Sequence, residues 1–476
     1  MGAQEDIEHV IVLMLENRSF DCMLGKLYPT DPSFNGLTGN ERNLWLTQPI
    51  PVWPSSYTPL DQTAACIPDP DPGEFFTDMN AQLFNGPRPN PYSAPPMSGF
   101  VQNYMDQKPP PSDCQSVMHY FTPEQVPVIS KLARAFGVCD QWHASAPCQT
   151  WPNRFFVHTG TCLGYVDNSK FPIPFQASSI FKRLSDCGKS WRVYFHDMPQ
   201  SLLLGDIWLD APFHYREFST FLSDAQNGTL PNYSFIEPRY FSDLFLNENP
   251  CDEHPPHNVL YGEKLIAMVY NAVRASPCWK KSLFVITYDE HGGCYDHVPP
   301  PAAVPPDNCN QFGFAFDSYG VRVPAVIISP YMPPGSKVRN VQEGVPFRGS
   351  LYPYDHTSII STLRKLFNLG KPLTGRDAVA PDLLGPLSLT DPTNDGPASV
   401  SHSAPDTDAD ALVQLANAQP NHMQAAFSQM AAQLPPGPLP EGAPLPPPAA
   451  LSAPVPSTAA KAHANAVLQV KSFLGI

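Results

Sequence analysis

Charge is scarce in this 476-residue chain. Asp, Glu, Lys and Arg make up 15% of it, and the 29 Lys and Arg are outnumbered by 44 Asp and Glu, for a formal net charge of −15. Without clustered basic side chains, nucleic acid is excluded as the main partner, because phosphate backbones are held by Lys and Arg. A phosphorylated substrate is not excluded, since a bound cation brings positive charge to one place. The 11 cysteines contain no Cys-x-x-Cys pair, which argues against a zinc knuckle. Their odd number leaves at least one thiol free or paired between chains, and Cys66 and Cys114, in loop-like segments, could form disulfides. The opening MGAQEDIEHV has no basic stretch followed by an apolar run, and Asp6 stands where myristoylation needs Ser or Thr. No apolar run approaches a membrane span. The expected location is cytoplasmic or peripheral to a membrane, with secretion by a removed or non-standard signal left open. There is no internal repeat.

Proline is abundant instead, at 59 residues against a usual share of roughly 5%. Much of the chain must therefore be loop. Residues 7–15, IEHVIVLML, read as a buried parallel strand ending at Glu16-Asn17, and 191–195, 282–288 and 323–329 look alike. Helical spacing of apolar residues marks 124–136, 261–275 and 357–367. Strands alternating with helices predict an α/β fold with a mainly parallel sheet covered on both faces. In such sheets function gathers at the carboxyl ends of strands, which picks out Glu16-Asn17, His196-Asp197 and Asp289-Glu290. Residues 48–113 are Pro-rich and read as a lid-like excursion. The expected division is a catalytic unit over 1–390 and a Pro/Ala-rich region with short helices over 391–476. Within the latter, 406–434 carries a helix or two, 435–457 is extended, low-complexity and mobile, and 458–475 forms an amphipathic helix through Val467, Val470, Phe473 and Leu474. A chain cut near 434 is expected to keep catalysis on soluble substrates.

The acidic strand ends suggest cation chemistry. Glu16 and Asn17 offer hard oxygen ligands, and Asp289 and Glu290 can both reach one ion if Gly292 and Gly293 bend the backbone. A bare acidic pair is usually a solvated turn; His291, Asp296 and His297 shift the reading toward a metal or proton-transfer site. In APCQTWPNRFF, Thr150 sits in a turn, with Trp151 and Pro152 disfavouring helix after it. A hydroxyl on a divalent ion loses its proton readily and becomes a nucleophile, so Thr150 is the candidate and Ser145 its competitor. His254 and His257, in the proline-fixed CDEHPPHN, could protonate a leaving alkoxide or steady phosphate charge. An HxxH pair could also bind zinc, but no cysteines stand at finger spacing.

ENRSFD, TWPNR, HPPH, YDEHGGCYDHVPPP, VRVPAVIISPY and YDHTSI occur in an order that resembles the phosphoesterase family of bacterial phospholipases C, bacterial acid phosphatases and plant non-specific phospholipases C. The resemblance runs from residue 7 to about 385, and NYSFIEPRYF and KLFNLGKPLTGRDA are similar to the plant branch. It implies an alkaline-phosphatase-like core and a covalent phosphoryl-enzyme mechanism assisted by one divalent metal ion. It places Thr150 as nucleophile and metal-bound hydroxyl, Glu16, Asn17, Asp289 and Glu290 as metal ligands, and His254 as a catalytic histidine. His196 matches a second catalytic histidine, and Asn153 and His297 are candidates for binding substrate. Where relatives often read DPGH this chain reads DPGE, so Glu74 replaces a histidine and enters as a candidate catalytic acid or base. The implied activity is phospholipase C-type hydrolysis of glycerophospholipids, with peripheral membrane contact. An acid phosphatase with the same site, and a non-catalytic lipid-binding protein, are the alternatives.

Overall fold

The computed structural model describes residues 6–56, 60–61, 63–340 and 352–476. Its centre is an eight-stranded sheet built from β1 (His9–Leu15), β2 (Gly137–Val138), β3 (Trp191–Phe195), β4 (Tyr215–Glu217), β5 (Tyr233–Ile236), β6 (Ser282–Tyr288), β7 (Ala325–Ile328) and β8 (Ser336–Lys337), in the order β4-β3-β5-β1-β6-β7-β2-β8. The strands from β4 to β6 in that order are parallel. β7 runs antiparallel to both β6 and β2. The sheet is therefore mixed, a correction to the reading of 323–329 as one more parallel strand. An all-apolar run records burial on both faces but not direction.

The principal helices are α1 (Phe20–Leu24), α2 (Phe76–Phe84), α3 (Phe100–Asp106), α4 (Pro127–Ala135), α5 (Thr150–Thr159), α6 (Val259–Ala275), α7 (Thr357–Phe367), α8 (Ala409–Asn417), α9 (His422–Ala431) and α10 (Ala459–Leu474). β1 lies between β5 and β6, in register Val10 with Tyr233 and Leu283. Its side chains from Val10 to Leu15, and all of β6, are buried. Helices covering both faces explain why these strands are apolar throughout rather than alternating.

The Pro-rich excursion is more than loop. α2 and α3 pack Leu83, Phe100, Val101 and Tyr104 with Ile50, Val52 and Met97 into a second, smaller core. Residues 57–59 and 62 of that segment lie outside the described residues. The C-terminal region folds back on the main core. Phe427 of α9 and Val470, Phe473 and Leu474 of α10 belong to the same apolar cluster as the sheet, with Phe473 5.5 Å from Trp208. The intervening 435–457 is extended, as its prolines dictate, and Leu439, Leu445 and Leu451 lean on that core. Ala449-Ala450 even pairs with Pro172-Ile173. All 11 cysteines are free thiols, so neither Cys66 nor Cys114 is in a disulfide. Among the described residues no helix is long and apolar enough to cross a membrane.

Candidate active site

β1 and β6 are neighbours, so the residues after their carboxyl ends meet. Asn17 N donates to Asp289 Oδ1 at 2.9 Å, and Asn17 Nδ2 donates to Glu290 Oε1 at 2.7 Å. Asn17 takes φ 54° and Gly292 φ 58°. A Cβ on Gly292 would lie 2.1 Å from the Asn17 carbonyl oxygen, which excludes any other residue there. Gly292 N donates to Glu290 Oε2 at 2.8 Å, fixing the carboxylate across the turn. His356 Nδ1 accepts a hydrogen bond from Trp142 Nε1–H at 3.3 Å, so its Nε2–H donates to the Asp289 carbonyl at 2.6 Å. Burial lowers the His356 pKa and keeps that ring neutral.

Thr150 arrives from the other side. It is not in a turn: it is the first residue of α5, after the N-cap Gln149, and it is buried. The turn reading treated Pro152 as a helix breaker, but proline is tolerated in a first helical turn, where its missing N–H has no acceptor to serve. Thr150 Oγ1 donates to Glu16 Oε2 at 3.3 Å. The other oxygen, Glu16 Oε1, accepts from Arg154 Nη2 at 2.5 Å and Gln200 Nε2 at 2.7 Å. Arg154 Nη1 donates to Glu237 Oε2 at 2.9 Å, and Tyr240 donates to the same oxygen at 2.7 Å. Arg154 thus lies buried between two carboxylates. Burial opposes its charge, and Glu16, Tyr240 and Glu237 more than reverse that, so its pKa rises. Ser145 instead donates to Asp355 Oδ2 at 2.7 Å.

A third group comes from the Pro-rich excursion. Glu74 is buried, and its Oε1 accepts from Asn17 Nδ2 at 2.5 Å. The same oxygen is 3.5 Å from His254 Nε2, and Asp71 Oδ1 is 3.8 Å from His254 Nδ1. His254 Nδ1–H donates to the Pro255 carbonyl at 2.7 Å, so Nε2 is the face the imidazole turns to the site, buried and without a hydrogen-bond partner. Burial raises the pKa of Glu16 and Asp71. It raises Glu290 too, aided by Glu74 and Asp289, and it raises Glu74 against the pull of His254.

This much negative charge in a buried place fits a cation. Asn17 Oδ1 and Asp289 Oδ2 are buried oxygens with no hydrogen-bond partner, and such oxygens are what a hard cation takes. Asp71, Glu74 and His254 form a further group whose ligand atoms lie close enough to share an ion. The acidic and histidine groups are thus compatible with a metal ion.

Other candidates fall elsewhere. Asn153 spends its amide on the turn before Thr150: Oδ1 accepts from Ala146 N, and Nδ2 donates to the Cys148 carbonyl at 2.7 Å. It sets the entry to α5. His297 bonds to Asp21 Oδ2 at 2.7 Å beside Arg322, which also pairs with Asp21 and Asp296. His196 stacks on Phe218 at 4.3 Å, donates from Nδ1 to the Glu237 carbonyl, and has its pKa pushed down to about 3 by burial and Arg239. It lines a cavity of about 350 Å³ with Arg239 and His463, and no hydrogen bond links it to Thr150. Sequence reasoning missed Arg154, Glu237, Gln200, Asp71 and His356. Arg154 and His356 stand inside the quoted TWPNR and YDHTSI motifs, Glu237 stands inside the quoted NYSFIEPRYF, and Asp71 opens DPGE; Gln200 carries no local signal.

A sequence model of the Phosphoesterase family matches residues 7–370. The Arabidopsis thaliana protein named non-specific phospholipase C3 is 36% identical over 90% of this chain and 82% of its own. Non-specific phospholipase C1 of the same plant is 40% identical over 79% and 70%. Phospholipase C B of Mycobacterium tuberculosis (strain CDC 1551 / Oshkosh) is 26% identical over 90% and 86%. Solved structures match more faintly. A protein in the alkaline phosphatase superfamily from Vibrio parahaemolyticus gives a TM-score of 0.30 at 13% identity, over 54% of this chain and 63% of that one. The lipoteichoic acid synthase LtaP from Listeria monocytogenes gives 0.33 at 13%, over 56% and 71%.

Proposed function

The chain belongs to the Phosphoesterase family, and from that premise we propose that it is a phospholipase C, cleaving glycerophospholipids to diacylglycerol and a phosphorylated head group through a phospho-threonine. The observation that carries this reading is the buried Thr150 hydroxyl held 3.3 Å from Glu16, whose chain neighbour Asn17 is bonded to Asp289 and Glu290. We place the catalytic unit at 1–390 with an alkaline-phosphatase-like core, residues 48–113 as its lid, and 391–476 as a C-terminal region.

Glu16, Asn17, Asp289 and Glu290, with Thr150 Oγ1, would hold one divalent cation, which when bound supplies a Lewis acid that weakens the hydroxyl's hold on its proton and offsets phosphate charge. Thr150 Oγ1, its proton released to solvent when a cation is bound, attacks phosphorus, and the bond from phosphorus to the glycerol oxygen breaks. His254, entering protonated, gives its Nε2 proton to that oxygen, releasing diacylglycerol. A water then gives its proton back to His254 Nε2 and attacks phosphorus. The bond to Oγ1 breaks, the head-group phosphate leaves, and Thr150 and His254 return to their starting states. Arg154 and Gln200 keep the Glu16 carboxylate in place throughout.

The test is a head-group release assay on a panel of phospholipids run beside p-nitrophenyl phosphate. Diacylglycerol and phosphorylated head group in equal amounts are expected. Turnover of the monoester alone would reassign the protein as a phosphatase using the same residues.

A further inference from the structure

The connection from β5 to α6 carries, besides His254, a hairpin with an apolar tip. Asp243 N donates to the Glu248 carbonyl at 2.9 Å and Glu248 N to the Asp243 carbonyl at 3.1 Å, closing an antiparallel bridge. Asp243 Oδ1 accepts from both Phe245 N and Leu246 N at 2.9 Å, and Arg239 Nη1 donates to Asp243 Oδ2 at 3.4 Å. Cys251 N donates to the Arg239 carbonyl at 2.9 Å, tying the foot of the hairpin just before His254. This braced turn holds Leu244, Phe245 and Leu246 out at 47, 95 and 55% exposure. Turn tips are ordinarily Gly, Asn, Asp or Ser, and contiguous exposed large apolar groups mark an interaction site. The apolar surface continues: Leu468 and Ile476, 66 and 52% exposed, line the same groove from the side of α10.

Charge selects the partner. The basic groups around the hairpin are each matched by an acid: Arg239 with Asp243, Lys264 with Glu248, Lys471 with Glu217. With a net charge of −15 on the whole chain, an anionic surface is repelled, while a zwitterionic one accepts a locally balanced rim. We propose that Leu244, Phe245 and Leu246 insert into the surface of a zwitterionic phospholipid bilayer, with Leu468 and Ile476 beside them, and thereby seat the His254 loop against the lipid layer. The inference rests on the reading of a phospholipid substrate.

The test uses the full chain, phosphatidylcholine vesicles and the soluble ester p-nitrophenyl phosphorylcholine. The parent should sediment with the vesicles. Phe245→Ser should partition at least about tenfold less, the loss expected for one buried aromatic side chain, and Leu244→Ser/Phe245→Ser/Leu246→Ser should not bind. Both should hydrolyse the soluble ester like the parent, because the tip touches none of the site. Phe245→Trp should bind and shift its emission to the blue on vesicles. The proposal is overturned if the parent does not bind, if Phe245→Ser binds like the parent, or if the Phe245→Trp emission does not move. It is also overturned if Phe245→Ser merely splits a dimer, which would make the hairpin a contact between copies. Binding is read without turnover, so failure to hydrolyse the soluble ester counts against the proposed function and leaves the hairpin to be judged on the vesicles.

Discussion

Glu74 Oε1 faces His254 Nε2 at 3.5 Å while accepting a 2.5 Å hydrogen bond from Asn17. A carboxyl from the Pro-rich excursion therefore sits between a proposed metal ligand and the proposed proton donor. Burial raises its pKa, so it is neutral at lower pH and ionises only as pH climbs through the raised value. Once ionised it stands beside an anionic phosphate, at a cost of roughly 4 kcal/mol for two charges about 4 Å apart at an effective dielectric near 20. The parent's kcat/KM should fall across that ionisation. Glu74→Gln, which keeps the acceptor for Asn17, should lack that limb of the pH–rate profile. Superimposable curves on two substrates would remove Glu74 from the chemistry.

Thr150→Ala should lower turnover at least about a thousandfold on the proposed covalent route, whereas Thr150→Ser should keep part of it. Because Thr150 is buried and donates to Glu16, the Ala variant should also lose about 1–2 kcal/mol of stability. Trapping of a phosphorylated Thr150 peptide after acid quench, absent in the Ala variant, checks the intermediate. Near-parent activity in Thr150→Ala would shift attack to water.

The strand ends were legible because burial and chemistry are both local there: an apolar run ending in Glu16-Asn17 or Asp289-Glu290 announces its place in a sheet. β7 shows what is lost, since AVII reads the same in either direction. Thr150 shows a second limit: a proline three residues into a helix resembles a turn until the cap is seen. Arg154 and Glu237 lie 83 positions apart, and only the packing of α5 over β5 makes them an ion pair. Where the Pro-rich tail packs is not legible in its composition, because a few leucines among many prolines suffice to lean an extended strap on the core.

Cutting the chain near residue 434 removes Val470, Phe473 and Leu474 from the main core. Phe473 is fully buried against Trp208, and Phe473→Ala should cost about 3–5 kcal/mol. The truncated chain should melt well below the parent, and loss of activity on soluble substrates at ordinary temperature should follow unfolding. A truncated chain with the parent's melting temperature would show that α10 is a detachable appendage.

The cation itself should be visible as a pH-dependent stability. Glu16, Asp71 and Glu290 all have pKa values raised by burial, and Glu290 further by Glu74 and Asp289. A carboxyl whose folded pKa exceeds its unfolded one binds protons more tightly when folded. Its stabilising contribution is complete below the unfolded value, about 4, and is lost as pH rises through the folded value. Metal-stripped protein should therefore melt at falling temperature as pH rises from the ordinary carboxylate range through the raised pKa values. A divalent cation takes the deprotonated ligands and reverses that loss, adding about 2.7 kcal/mol at a hundredfold excess over its Kd. The gain in Tm on adding Mg²⁺, Mn²⁺ or Ca²⁺ should therefore grow with pH. Asp289→Asn, which removes a charge beside the partnerless Oδ2, should shrink the gain. Thermal melts in chelator and in each cation across the pH range decide it: a gain independent of pH, or none with any of the ions, would place the metal away from these carboxylates.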